Sequence, residues 1–219
     1  MKSFSKFRLF AALAILAVFA TSAVHAELVQ GDELKALIVT EKGSTWTLSD
    51  GARLTFFPNG QLIDCNGKPG WESCDDGTYV FTDYTVERKY NNWNKNTGGA
   101  RSAAIKREDG NFIFNQTTVV KYSLVPTLVP ATKEQIMSLA GKNFKINYRD
   151  EGPETFNFSK EMNIFDCTNA RTGCGTTAPL TIEAPWVSYY YMRTTVSGKA
   201  LIVVEDGAIL WNGCKLIPQ

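Results

Sequence analysis

The sequence predicts an α+β protein, mostly antiparallel β, made of two tandem similar units. Each unit is a short N-terminal helix packed on an antiparallel β-meander or small open barrel. Three observations carry this. The first is repetition: Asp32, Leu34 and Leu37 return as Glu134, Ile136 and Leu139, Phe56 returns as Phe158, and Asp64-Cys65 as Asp166-Cys167. Further on, Ala103-x-Ile105-x-x-Glu108-Asp109-Gly110 returns as Ala200-x-Ile202-x-x-Glu205-Asp206-Gly207. The second is the regular spacing of turn residues between β-branched and aromatic runs, the mark of a meander. The third is a pair of cysteines at matching places in each copy.

In chain order, residues 1–26 read as a signal peptide. Lys2, Lys6 and Arg8 form a basic start, Leu9 to Ala20 an apolar run, and Val24-His25-Ala26 a small-residue cleavage site. That run is too short to span a bilayer, so no membrane span is expected after cleavage. The first unit, 27–126, opens with a helix of about ten residues that Asp32 can cap, with Leu34, Leu37 and Ile38 on one face. Strands follow around the hairpin dipeptides Asp50-Gly51, Asn59-Gly60 and Asp109-Gly110. A polar tip, Asn91 to Gly99, interrupts them. Pro126 and Pro130 favour an extended connector, which places the boundary near Thr127. The second unit, 127–219, starts with the capping box Thr132-x-x-Gln135 and an Ile136, Leu139, Ala140 stripe. Strands follow in the same order.

Composition excludes much chemistry. The one histidine, His25, lies inside the signal segment, so the remainder has no imidazole for acid–base work or metal ligation. Losing Lys2, Lys6 and Arg8 would leave 20 basic residues against 22 acidic ones, about −2 from a starting +1. Such a balance argues against nucleic acid. No nucleophile motif or phosphate loop is present, and no cofactor is expected.

Five cysteines remain to be placed. Export puts them where disulfides persist, and the repetition favours Cys65 with Cys74 and Cys167 with Cys174, leaving Cys214 as a buried thiol. Each short loop would contribute roughly 2.5–3 kcal/mol in the chain-entropy picture. Cys74-Asp75-Asp76-Gly77 has the outline of a calcium loop but lacks the other ligands. Asp64 and Asp166 could act as paired carboxylates only if the two units bring them within about 10 Å.

The aromatics are the remaining candidates. Trp71 inside the first cysteine loop, Trp93 in the polar tip, and Trp186 with Tyr189 and Tyr190 fall where they could stack on a sugar or anchor a protein partner.

The phrase Trp46-Thr-Leu48, Leu54-Thr-Phe56, Asn59-Gly60, Gly77-Thr-Tyr79 resembles the strand phrases of lipocalin-like and META-type small secreted β domains. In outline, two helix-plus-sheet copies with one disulfide each also resemble secreted proteinaceous β-lactamase inhibitors. The expectation is a periplasmic or secreted, non-enzymatic binding protein with a protein or glycan partner. The alternatives are a lipocalin-like carrier of small ligands and a carboxylate-based hydrolase acting on a polysaccharide.

Overall fold

The computed structural model describes residues 26–66, 73–91, 100–147, 153–167 and 174–219. The signal segment 1–25, Trp71 and Trp93 lie outside the described residues. The first part of the chain runs β1 (Glu27–Val29), α1 (Gly31–Ile38), β2 (Ser44–Leu48), β3 (Arg53–Phe56), β4 (Gln61–Asn66), β5 (Ser73–Phe81), β6 (Thr85–Tyr90), β7 (Ala100–Glu108), β8 (Asn111–Phe114) and β9 (Thr117–Ser123). Strands β2 to β9 pair antiparallel in order, and β2 also pairs with β9, so they close into an eight-stranded barrel. Closure removes the unpaired edges that an open meander would leave. Outside the ring, β1 adds to the far half of β7, with Val29 opposite Ile105.

The barrel is filled, not hollow. Trp46 is fully buried and meets Phe56, Phe114 and Tyr122 edge-on at centroid distances of 6.4, 6.0 and 5.4 Å. Helix α1 plugs one end, placing Leu34 and Ile38 in the same core. Tyr122 donates to the Leu37 carbonyl at 2.5 Å and Ser44 to that of Ile38 at 3.0 Å, which satisfies carbonyls a helix end leaves orphaned. The opposite end carries the β2–β3 hairpin and the β8–β9 turn.

From Leu128 the strands form two further sheets. One contains β10 (Leu128–Pro130), β15 (Thr181–Glu183), β16 (Trp186–Tyr190), β17 (Ser197–Glu205), β18 (Ala208–Trp211) and β19 (Cys214–Lys215). The other contains β11 (Asn143–Asn147), β12 (Pro153–Phe158), β13 (Ile164–Cys167), β14 (Cys174–Thr176) and β20 (Ile217–Pro218). A single bridge, Thr177 to Tyr191, joins them beside β14. Between β10 and β11 lies α2 (Lys133–Met137).

Two expectations are corrected here. The class is mostly antiparallel β with two short helices, not two matching α+β units. Among the described residues the helices span 8 and 5 residues, and the first half alone closes as one barrel. In the second half β14 has three residues where β5 has nine. Asp32 is also not the cap of α1. Gln30 takes that position without a side-chain bond, and Asp32 and Glu33 sit in the first turn, where the helix dipole favours acids. The connector expected near Thr127 is partly a strand, since β10 pairs with β17. The Thr132–Gln135 capping box forms as expected, with both bonds present.

The halves meet through a third cluster made of Ile63, Cys65, Cys74, Leu128, Leu201, Val203 and Leu210. Strands β4 and β17 are therefore buried on both faces: Leu62 points into the barrel and Ile63 into the joint, while Ile202 and Val203 divide in the same way. Arg53 forms an ion pair with Glu205 and donates to the Gly213 carbonyl at 3.0 Å. Asn212, in a tight turn with Gly213, accepts from the amides of both Cys74 and Leu201 at 3.3 Å. The residue angles of that turn, φ 51° at Asn212 and 89° at Gly213, are those that favour Asn-Gly in a two-residue hairpin.

Two disulfides form, Cys65–Cys74 and Cys167–Cys174, each between residues directly opposite on adjacent antiparallel strands, with Cα atoms 4.1 Å apart. Cys214 takes part in neither disulfide and is buried in the second core. Peptide mapping without reduction should recover both linkages, and Cys214 should react with a thiol reagent only after denaturation; a Cys174–Cys214 peptide would overturn the assignment. Trp46→Ala should lower stability by about 3–5 kcal/mol in urea titration, because no neighbour can fill the central void.

Candidate functional site

The end of the first barrel opposite α1 holds a layer of polar side chains, placed there by strand alternation. On β4, Leu62 faces the core, so two residues on Asp64 faces inward nearer the mouth, and Asn66 reaches the rim. On β6, Val86, Arg88 and Tyr90 share the inward phase, the first of them deep in the core. On β7, Arg101 precedes the buried pair Ala103 and Ile105 in the same phase. Strands β4, β6 and β7, with β5 between the first two, thus pass from apolar to charged toward the same end.

Tyr90 donates its hydroxyl to Asp64 Oδ2 at 2.5 Å, and Arg88 Nη1 reaches the same oxygen at 3.3 Å. The Arg88 guanidinium lies over the Phe114 ring at 4.9 Å and the Tyr90 ring at 5.8 Å. Arg88 is only 5% exposed, and its buried Nε–H has no acceptor among the described residues. Burial pushes the Asp64 carboxyl above its ordinary pKa, a tendency that Arg88, the Tyr90 hydroxyl and Arg101 oppose without reversing. Burial and the Asp64 charge together raise the Tyr90 phenol, which therefore serves as a donor. Deeper in, burial holds Tyr79 at about 12. Above this layer lies a recess of about 150 Å³, lined by Asp50, Asp64, Asn66, Arg88, Arg101 and Asn115 among others.

The second half contains the same acid–phenol contact. Tyr191 donates to Asp166 Oδ2 at 2.5 Å, and its pKa is raised by burial and then by Asp166. Two residues before the tyrosine, where Arg88 stands over Phe114 in the first half, Tyr189 leans on Trp211 at 6.1 Å. Among the described residues no guanidinium stands there.

The sequence-derived candidates separate accordingly. Asp64 and Asp166 each accept from their own tyrosine, Tyr90 in the first half and Tyr191 in the second. Asp75, read as part of a calcium-loop outline, lies within β5 directly opposite Asp64. Trp186 packs against the joint between the halves, and Tyr189 against the second core. Tyr190 is 43% exposed on the outer face of β16. Trp71 and Trp93 fall in segments 67–72 and 92–99, outside the described residues; Asn66 and Arg101, beside those segments, line the recess. Sequence reasoning missed Arg88 and Tyr90. The available signal was an arginine in the inward phase of Thr85–Tyr90, between Val86 and Tyr90. Comparison with protein-family models, with curated proteins and with solved structures finds no match to this chain.

Because Asp64 holds a proton more readily folded than unfolded, it favours the folded state most below the ordinary carboxylate range, and this contribution is lost as pH rises through its raised pKa. Asp64→Asn should abolish that dependence. Urea titrations from about pH 3 to about pH 8 should show wild type losing stability relative to the variant as pH rises. Tyr90→Phe should cost about 1.5–3 kcal/mol by the same measurement, since it removes a donor to a buried carboxylate.

Proposed function

We propose that the chain is an exported, disulfide-stabilised binding protein without catalytic chemistry. In this reading, its recognition face is the end of the first barrel opposite α1. The observation that carries the reading is Arg88. A buried guanidinium with an unsatisfied N–H is costly, and burying ions in pairs seldom improves on an apolar filling. Tyr189 and Trp211 occupy the corresponding places in the second half without a charge. Stability therefore does not explain the arginine, whereas recognition does. A barrel interior filled by Trp46, Phe56 and Phe114 leaves its end as the place for a ligand.

Trp71 and Trp93 belong to this proposal as aromatic anchors for a protein or glycan partner, since the residues beside their segments line the recess. Export is supported by two disulfides between opposed strand residues. Among the described residues no helix is long and apolar enough to cross a membrane. A common origin for 27–126 and 127–219 belongs here too. It is supported by the repeated Asp–Tyr contact, the matched disulfides, and two equivalent junctions: Val29 opposite Ile105, and the Ala131 amide on the Ile202 carbonyl at 3.0 Å.

Affinity capture from a periplasmic extract tests the proposal. Wild type should retain a partner that Trp71→Ala and Trp93→Ala release. Retention unaffected by both substitutions would count against this face.

A further inference from the structure

The two disulfides occupy matching places in the halves but differ in what covers them. Cys65 and Cys74 lie in the joint, packed against the second half, and are 0% and 5% exposed. On β13, Ile164 belongs to the second core, so Cys167, three residues on, falls in the opposite phase. Among the described residues neither Cys167 nor Cys174 belongs to any of the three core clusters. Cys167 is half-buried and Cys174 is exposed. The strands they join differ as well: β4 and β5 pair over six residues, β13 and β14 over three. Thiol–disulfide exchange requires a thiolate to reach a sulfur, so an exposed bridge is the labile one.

The exposed bridge also sits beside the two residues that hold Tyr191. Asp166, next to Cys167, accepts from the Tyr191 hydroxyl at 2.5 Å. Gly175, next to Cys174, lies so close to the Tyr191 ring that a Cβ there would stand 3.1 Å from it. Beyond β14, Thr177 is fully buried. Its hydroxyl accepts from the Ile164 amide at 2.8 Å, and its carbonyl from Asn163 Nδ2 at 3.0 Å. That anchor limits how far β14 can part from β13. We infer that Cys167–Cys174 is an exchangeable disulfide, a redox-sensitive clasp on Tyr191, while Cys65–Cys74 is inert in the folded chain. Its reductant is a dithiol. One thiolate of the dithiol attacks Cys174 Sγ, the Cys167–Cys174 bond breaks, and Cys167 leaves as a thiolate that takes up a proton. The second thiolate attacks the mixed disulfide and releases Cys174, which is protonated in turn. The dithiol ends as a disulfide, and the protein has gained two electrons and two protons. The strands then part as far as Thr177, and Tyr191 is released. The inference goes beyond the recognition face at the end of the first barrel and does not depend on it.

The test is a time course with dithiothreitol on the folded, oxidised chain, quenched with iodoacetamide and read by peptide mapping. Cys167 and Cys174 should become alkylated at least about tenfold faster than Cys65 and Cys74. Cys214, buried in the second core, should stay unlabelled, which reports that the chain has not unfolded. Hydrogen exchange of the partly reduced chain should quicken in β13 and β14 and stay unchanged in β4 and β5. The double variant Cys167→Ser, Cys174→Ser should show the same exchange pattern without reductant; should it fail to fold, the time course on the wild type decides. Equal rates at the two bridges, or earlier opening of Cys65–Cys74, would overturn the inference. So would opening of Cys167–Cys174 only together with labelling of Cys214, or a reduction that leaves exchange in β13 and β14 unchanged.

Discussion

Strand β4 is the constraint on which the rest depends, because alternation makes one short strand serve three purposes. Its inward residues, Leu62 and Asp64, supply the barrel core and then the polar layer. Its outward residues, Ile63 and Cys65, supply the joint to the second half. A slip of one residue would exchange the two sets, sending a carboxylate into an apolar joint and a cysteine into the barrel mouth. The Cys65–Cys74 bond holds the register against such a slip, since it joins residues that face each other across β4 and β5. The cross-link therefore aligns the site as well as limiting the unfolded chain.

The joint is asymmetric. The outer face of β4 and β5 in the first half is covered by the outer faces of β17 and β18 in the second. Aliphatic side chains provide most of the contact, while Arg53 and Asn212 satisfy polar groups at its border. Trp186 belongs to this contact, which accounts for an aromatic that would otherwise look like an anchor for a partner. Removing it from the exposed set leaves the barrel end as the richer surface.

The polar layer shows how one framework accommodates different interiors. Both halves retain an aspartate that accepts from a tyrosine hydroxyl. Around that contact, the first half carries Arg88 over Phe114 and the second carries Tyr189 beside Trp211. The aromatic solution closes its space with carbon. The arginine, which lines a recess, keeps an N–H without a partner among the described residues, and in this the halves differ.

Local chemistry was legible in the sequence because its causes are local. The capping box at Thr132 and Gln135 needs only spacing, and the turns at Asp109-Gly110 and Asp206-Gly207 need only residues that tolerate positive φ. The cysteine pairing was legible for a similar reason: the two bridges close short loops at matching places. Helix length was less so, since helices of this size exist only as far as a neighbouring core supports them. Barrel closure, the burial of both faces of β4 and β17, and the gathering of Asp64, Arg88 and Arg101 at one mouth were decided by tertiary structure alone. Each depends on pairing between residues far apart in the chain, and no local preference records which strand will lie beside which.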